Sequence, residues 1–256
     1  CIRERMSGID RVKKEISLDP FYDDDGTELI PKRQFSYDTL VIAVGSTIND
    51  FGIKGVKDHA IALDTLDQAE RFHQKLHNAI LRAQTQSTEI QAGQLEVVIV
   101  GAGATGVELA AELHKATREL TAYGLDKINP DRDINISLIE ASERLLPALP
   151  PRMSQSVEAE LKKLNVNLYM GERVTEVTEN GIRTHKDRYI NSALVVWAAG
   201  IKAPSFLQNL GLTTNSINQI EVLSTLQSKE DPSIFAFGDC AACPEKPGST
   251  DMVPPR

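Results

Sequence analysis

Cysteine is scarce in this chain. Only three stand in 256 residues, at Cys1, Cys240 and Cys243. A small secreted scaffold needs a denser, even-numbered set, so that class is excluded, and the count suits a reducing cytoplasm. Aromatic residues make up 5%, with a single tryptophan, Trp197. Blocks of five or more Lys/Arg are absent and the net charge is −8, so no nucleic-acid partner held by bulk electrostatics is expected. Long apolar runs are missing too. The longest, LVIAVG (40–45) and ALVVWAAG (193–200), have the length of buried strands. A membrane-crossing helix needs ~18–20 such residues. The chain opens CIRERMSGID, without Met and without the apolar stretch of a signal peptide, and is expected to be a piece of a longer protein.

What is present is ordinary globular material, 41% hydrophobic and 25% charged. The length allows one large domain or two modest ones, with a core of normal size. Residues 1–40 alternate in short stretches around an Asp25-Gly26 turn, which predicts a small antiparallel sheet. YDTLVIAVGS (37–46) predicts a strand buried on both faces, and residues 49–63 a loop. Leu66, Ala69, Phe72, Leu76, Ile80 and Ala83 fall at helical spacing within 64–86. A second helix is expected to run to about Tyr123, followed by a surface loop over 124–133. INISLIE (134–140) predicts a strand, residues 150–165 a helix opened by proline, and Asn180-Gly181 a hairpin turn. Strands alternating with helices imply an α/β fold with a mostly parallel sheet. TLVIAVG (39–45) and LVVWAAG (194–200) end alike, which suggests two nucleotide-binding units.

One stretch carries a mechanism. In LEVVIVGAGATGVELAAE (95–112), an apolar strand stops at Gly101, and Gly103 and Gly106 complete G-x-G-x-x-G before a helical pattern. Such a turn needs glycine for three reasons: a sharp bend, close approach of the backbone to a pyrophosphate, and tight packing of helix on strand. The helix N-terminus then offers unpaired N–H groups and partial positive charge to the phosphates. The next strand ends at Glu140, placed to accept the adenosine ribose hydroxyls and to repel a 2′-phosphate, favouring NAD(H). Arg144 lies close enough in sequence to leave some NADPH use open. Glu108 reads either as a first-turn acid facing the helix dipole or as a carboxylate near the nicotinamide.

SIFAFGDCAA (233–242) is an apolar strand ended by Gly238-Asp239, with small residues suited to start a helix. The aspartate can accept a sugar or ribityl hydroxyl, and a helix start can face a phosphate. Cys240-x-x-Cys243 could form a redox dithiol, and His73 and His77 lie four apart on a helix. Neither set has the further ligands of a metal site, so no metal is expected.

Taken in order, YDTLVIAVGS, VVIVGAGATGVELAAEL, LVVWAAGIKAP, SIFAFGDCAA and VPPR resemble the flavin-dependent pyridine nucleotide reductases. More narrowly, IEASERLLPALPPRMS, WAAGIKAPSFL and GDCAACP resemble the type II NADH dehydrogenases, single-chain NADH:quinone oxidoreductases of bacterial membranes. The resemblance implies a Rossmann-like NAD-binding domain (57–204) inserted in a partial FAD-binding domain (1–56 and 205–256). It implies FAD contacts at Gly45, Gly238 and Asp239. It implies NAD(H) contacts at Gly101, Gly103, Thr105, Gly106, Glu140, Ala199 and Gly200, with Glu108 at the nicotinamide–flavin contact. Hydride would pass from NADH to flavin and electrons on to quinone, at the cytoplasmic side of the bacterial inner membrane, in a peripheral protein able to form a homodimer. The family's first FAD glycine turn and its C-terminal membrane helices have no counterpart here, so the piece is expected to hold NAD(H) but not FAD, and to be inert alone. Two rivals stand beside this reading: a flavin-dependent disulfide or ferredoxin-type reductase, and a non-enzymatic NAD(H)-sensing module.

Overall fold

The computed structural model describes residues 6–122, 127–246 and 252–253. Cys1, the expected helix end at Tyr123 and the last three residues of VPPR lie outside them. The chain forms two compact units, Cys1–Thr47 with Ile201–Arg256, and Ile48–Gly200.

The 48–200 unit is built on a five-stranded sheet in the order Asn167–Met170, Asn135–Glu140, Glu96–Val100, Leu194–Trp197, Ala60–Ile61. Every pairing is parallel. The central strand reads EVVIV without alternation because both its faces are covered. Val97 and Ile99 face a core made by Leu76, Ile80, Ala110, Leu113 and Leu161 of three helices. Val98 and Val100, pointing the other way, meet Val174, Val177 and Ile182 of a three-stranded antiparallel meander.

The Leu66–Thr85 helix starts at a capping box, Thr65 with Gln68. Phe72, Leu76, Ile80 and Ala83 are buried as expected, but Leu66 is exposed. Ala69, in the same first turn, is exposed as well, so the buried stripe begins only at Phe72. The expected 49–63 loop contains a helical turn, Val56–His59, and the edge strand Ala60–Ile61. Two paired residues are too few for periodicity to detect. The 124–133 loop likewise contains a helical turn, Pro130–Asp133, started by Asn129 accepting the Asp131 N–H at 2.9 Å. The second hairpin turn is shifted by one residue: Thr178 pairs with Gly181, so Glu179 and Asn180 make the turn. Gly181 is bare because a Cβ there would lie 2.0 Å from the Ile190 carbonyl oxygen.

The other unit carries the expected antiparallel sheet, Met6–Asp10, Glu15–Leu18 and Arg33–Ser36. The Asp25-Gly26 turn joins Phe21–Tyr22 to Glu28–Ile30. Leu40–Ile42 pairs in parallel with Ile234–Ala236. It is not buried on both faces: Ile42 is 2% exposed, Val41 53% and Val44 42%. Ile42 points into the core of Leu207, Leu210, Ile220 and Ile234, and the half-buried Leu40 packs against that core on the same face. The expected helix after Asp239 does not form. A 3₁₀ turn, Gly238–Cys240, leads into the strand Ala241–Ala242, whose pairing with Ile220–Glu221 holds the backbone extended.

Glu96 opens the central strand at the end remote from the glycine turn. Burial pushes its carboxyl above the usual glutamate range, against the Ser137 hydroxyl that donates to it at 2.5 Å. The folded state therefore carries a penalty once the carboxylate is ionised in both states, and none when it is protonated in both. Glu96→Gln should raise the thermal midpoint at pH 7, with the gain vanishing below about pH 4, the ordinary glutamate range; melting curves across pH check this.

Candidate functional site

At the carboxyl end of the central strand the backbone is locked from several directions. The Gly101 N–H donates to Ile139 O at 2.7 Å, and the Ala198 N–H to Val100 O at 2.7 Å. The Leu146 N–H donates to Ala102 O at 2.8 Å. The helix Ala104–Ala122 begins three residues after Gly101. The three glycines then separate by cause. Gly101 has φ +105, and a Cβ there would stand 2.6 Å from Ala198 backbone. At Gly106 a Cβ would stand 1.9 Å from the Gly101 carbonyl oxygen. These two are fixed by packing within the chain. Gly103 has no neighbour within 4 Å of its Cβ position and no unusual φ. Its bare Cα serves open space, as a surface that receives a ligand requires. Thr105 is exposed in the helix's first turn.

Glu140 ends the adjacent strand. One carboxylate oxygen accepts the Ala102 N–H at 2.8 Å, the other the Ser142 N–H at 2.8 Å. It therefore pins the glycine turn. Arg144 does not stand ready for a 2′-phosphate. Its guanidinium donates to Leu149 O at 2.7 Å, Ser154 Oγ at 2.7 Å and Pro147 O at 2.6 Å. Closeness in sequence gave no hint that the following loop consumes it. Glu108 is the fifth helical residue, and no acid stands in the first turn, which excludes the reading of Glu108 as a first-turn acid. It is exposed.

A cavity of about 350 Å³ opens beside this turn. Gly101, Glu140, Ala199 and Gly200 line it; Gly103, Thr105, Gly106 and Glu108 lie outside. Trp197, 2% exposed, forms part of its floor and donates its indole N–H to Asn49 O at 2.8 Å. Sequence reasoning missed Phe51, Glu172 and Arg173, which line it too. Glu172 and Arg173 arrive because the Glu172 N–H donates to Glu140 O at 2.9 Å, a pairing across parallel strands that no local pattern announces.

In the other unit, Gly45 and Gly238 follow the paired strands Leu40–Ile42 and Ile234–Ala236. A Cβ at either glycine would meet nothing within 4 Å. The half-buried Asp239 accepts the Ser46 hydroxyl at 3.0 Å, a partner 193 residues away that sequence did not reveal. Bare backbone around an oriented carboxylate fits the hydroxylated chain of a flavin. Cys240 is buried, its thiol 3.3 Å from Phe237 O, and burial pushes that thiol up. A reactive cysteine needs the opposite shift. His73 and His77 stack at 6.5 Å, and among the described residues no group of three or more His, Cys, Asp or Glu could hold a metal.

Residues 3–253 match the family of pyridine nucleotide-disulphide oxidoreductases. The chain is 41% identical to the Type II NADH:quinone oxidoreductase of Haemophilus influenzae, over 97% of its own length and 58% of that protein's. It is 31% identical to the Type II NADH:quinone oxidoreductase Ndh of Mycobacterium tuberculosis, over 84% and 48%. The solved structure of NDH2 from Plasmodium falciparum in complex with NADH superposes with a TM-score of 0.82 at 25% identity, covering 94% of this chain and 50% of that one. The chain thus spans about half the length of the relatives it matches.

Gly101→Ala and Gly106→Ala should each cost about 3 kcal/mol or more of stability, since backbone must move. Gly103→Val should cost only about 1 kcal/mol, the loss of a favourable residue before a helix. Denaturant titration of the three variants checks this ranking.

Proposed function

The chain belongs to the pyridine nucleotide-disulphide oxidoreductase family, and from that premise we propose that it is the nucleotide-handling part of a type II NADH:quinone oxidoreductase. The observation that carries this is Gly103, bare toward open space between two glycines that packing alone requires. The NADH pyrophosphate lies over Gly103 and Thr105 at the helix N-terminus, where unpaired N–H groups and the dipole receive it. Glu140, already oriented by two backbone N–H groups, accepts the adenosine ribose hydroxyls. Arg144, engaged elsewhere, does not offset Glu140's repulsion of a 2′-phosphate, which favours NADH over NADPH. Ala199 and Gly200 leave room at the end of the Leu194–Trp197 strand. We assign the exposed Glu108 to the nicotinamide end, because two anions at the pyrophosphate would repel.

In the whole protein the Cys1–Thr47 and Ile201–Arg256 unit would contribute to holding FAD, with Asp239, oriented by Ser46, on the ribityl hydroxyls and Gly45 and Gly238 giving backbone access. FAD, when bound, accepts a hydride from NADH and releases two electrons to a quinone. The side chains of this reading bind and orient. The disulfide-reductase alternative gains nothing from Cys240, buried with its thiol pushed up. Among the described residues no helix is long and apolar enough to cross a membrane. We place the whole protein at the cytoplasmic face of a bacterial inner membrane, where quinone is available; membrane surface and second copy are partners of that whole.

Calorimetry should show NADH binding to the chain, weakened tenfold or more in Gly103→Val, which is about 1.4 kcal/mol. Equal affinity would remove the phosphate site from the turn. Glu140→Ala should weaken NADH and lower its preference over NADPH by about tenfold; an unchanged ratio would move the ribose contact elsewhere. A sensor module would bind NADH but show no flavin absorbance or quinone reduction in a chain extended at both ends.

A further inference from the structure

We infer that Arg144 is a positioning residue of the phosphate site: acting through the Leu146 backbone, it sets the direction of the Gly103 N–H. The inference rests on the dinucleotide reading above and adds to it a residue that acts at one remove from the ligand.

Ala102, fully buried, joins Gly101 to Gly103 and is held at both of its polar groups. Its N–H donates to Glu140 Oε2 at 2.8 Å, and its carbonyl accepts the Leu146 N–H at 2.8 Å. The carbonyl of residue 102 and the N–H of residue 103 belong to one planar trans peptide and point in opposite directions. Whatever fixes the Ala102 carbonyl therefore aims the Gly103 N–H. Among the described residues that N–H donates to no acceptor. A Cβ at Gly103 would have no neighbour within 4 Å, so an outside acceptor is not crowded there.

Leu146 holds the carbonyl from an unfavourable conformation. It stands at φ +48, costly for a side chain of its size, and is 8% exposed. The backbone around it has few donors of its own. Pro147, Pro150 and Pro151 bring no N–H, and within 145–149 the chain closes on itself once, Leu149 N–H to Leu146 O at 2.9 Å. Arg144 supplies the donors that the prolines lack. Its Nη1 reaches Leu149 O and Ser154 Oγ, both at 2.7 Å, and its Nη2 reaches Pro147 O at 2.6 Å. Ser154 is buried on the helix Pro151–Lys163, whose Leu161 sits in the core against the parallel sheet. One planar cation thus ties a strained turn to a packed helix, and that turn grips the peptide of the phosphate site. An ammonium lacks the fixed fork that meets three acceptors at once. Donors oriented before the ligand arrives bind it more tightly, because less ordering remains to be done.

The test pairs calorimetry with amide hydrogen exchange on the chain. Arg144→Met keeps the stem and removes the donors. It should weaken NADH and NADPH by the same factor, about tenfold. It should also speed exchange of the Leu146 N–H by about tenfold or more, with that of Val98 as in the wild type. Arg144→Lys should fall between the two in both readouts, and it carries the test if the methionine variant fails to fold. Leu76→Ala, a core truncation on the Leu66–Thr85 helix, should lower the thermal midpoint yet leave NADH affinity unchanged, which separates positioning from stability. Three results would each overturn the inference while NADH binding by the wild type upheld the dinucleotide reading: unchanged NADH affinity in Arg144→Met, a loss confined to NADPH, or weakened NADH with Leu146 exchange unaltered. Wild-type protein that failed to bind NADH would overturn both.

Discussion

The close approach of the Ala104–Ala122 helix to the strand it follows governs the rest of this structure. No side chain fits at Gly101 or Gly106. Because the backbone runs so near itself there, the helix's first N–H groups open directly above the ends of the parallel strands. Of the three glycines of the turn, Gly103 alone has no neighbour within 4 Å of its Cβ position, and the outer face of the corner stays open there. The cavity, the strand-end carboxylate and the 49–53 loop are all arranged around that corner.

Charged groups near it divide by whether the protein uses them itself. Arg144, Glu172 and Arg188 spend their hydrogen bonds holding loops and the meander. Glu140 does so in part, by steadying the turn. Substitutions at these positions therefore disturb the protein's own packing, whereas the Gly103 Cβ position meets no neighbour.

The parallel sheet and the glycine turn were legible because each is a local pattern with a strict physical cause: uninterrupted β-branched residues for a strand covered on both faces, and bare residues where backbones meet. Asp239 at a strand end was legible, but its partner Ser46 was not, since parallel pairing brings together residues 193 apart. Arg173 escaped notice for the same reason. The helix expected after Asp239 failed because small residues also suit an edge strand, and the partner at Ile220 decided the matter. The strand at 40–42 read as doubly buried because its composition is apolar, yet composition does not count the neighbours available to cover each face.

The lone tryptophan sits under the cavity and holds the carbonyl of the loop that carries Phe51. Its emission band overlaps the absorption of a dihydropyridine ring. On the proposed reading the molecule would contain its own optical gauge: a reduced dinucleotide settling there would draw energy from the indole and dim its fluorescence, with no dye or label attached.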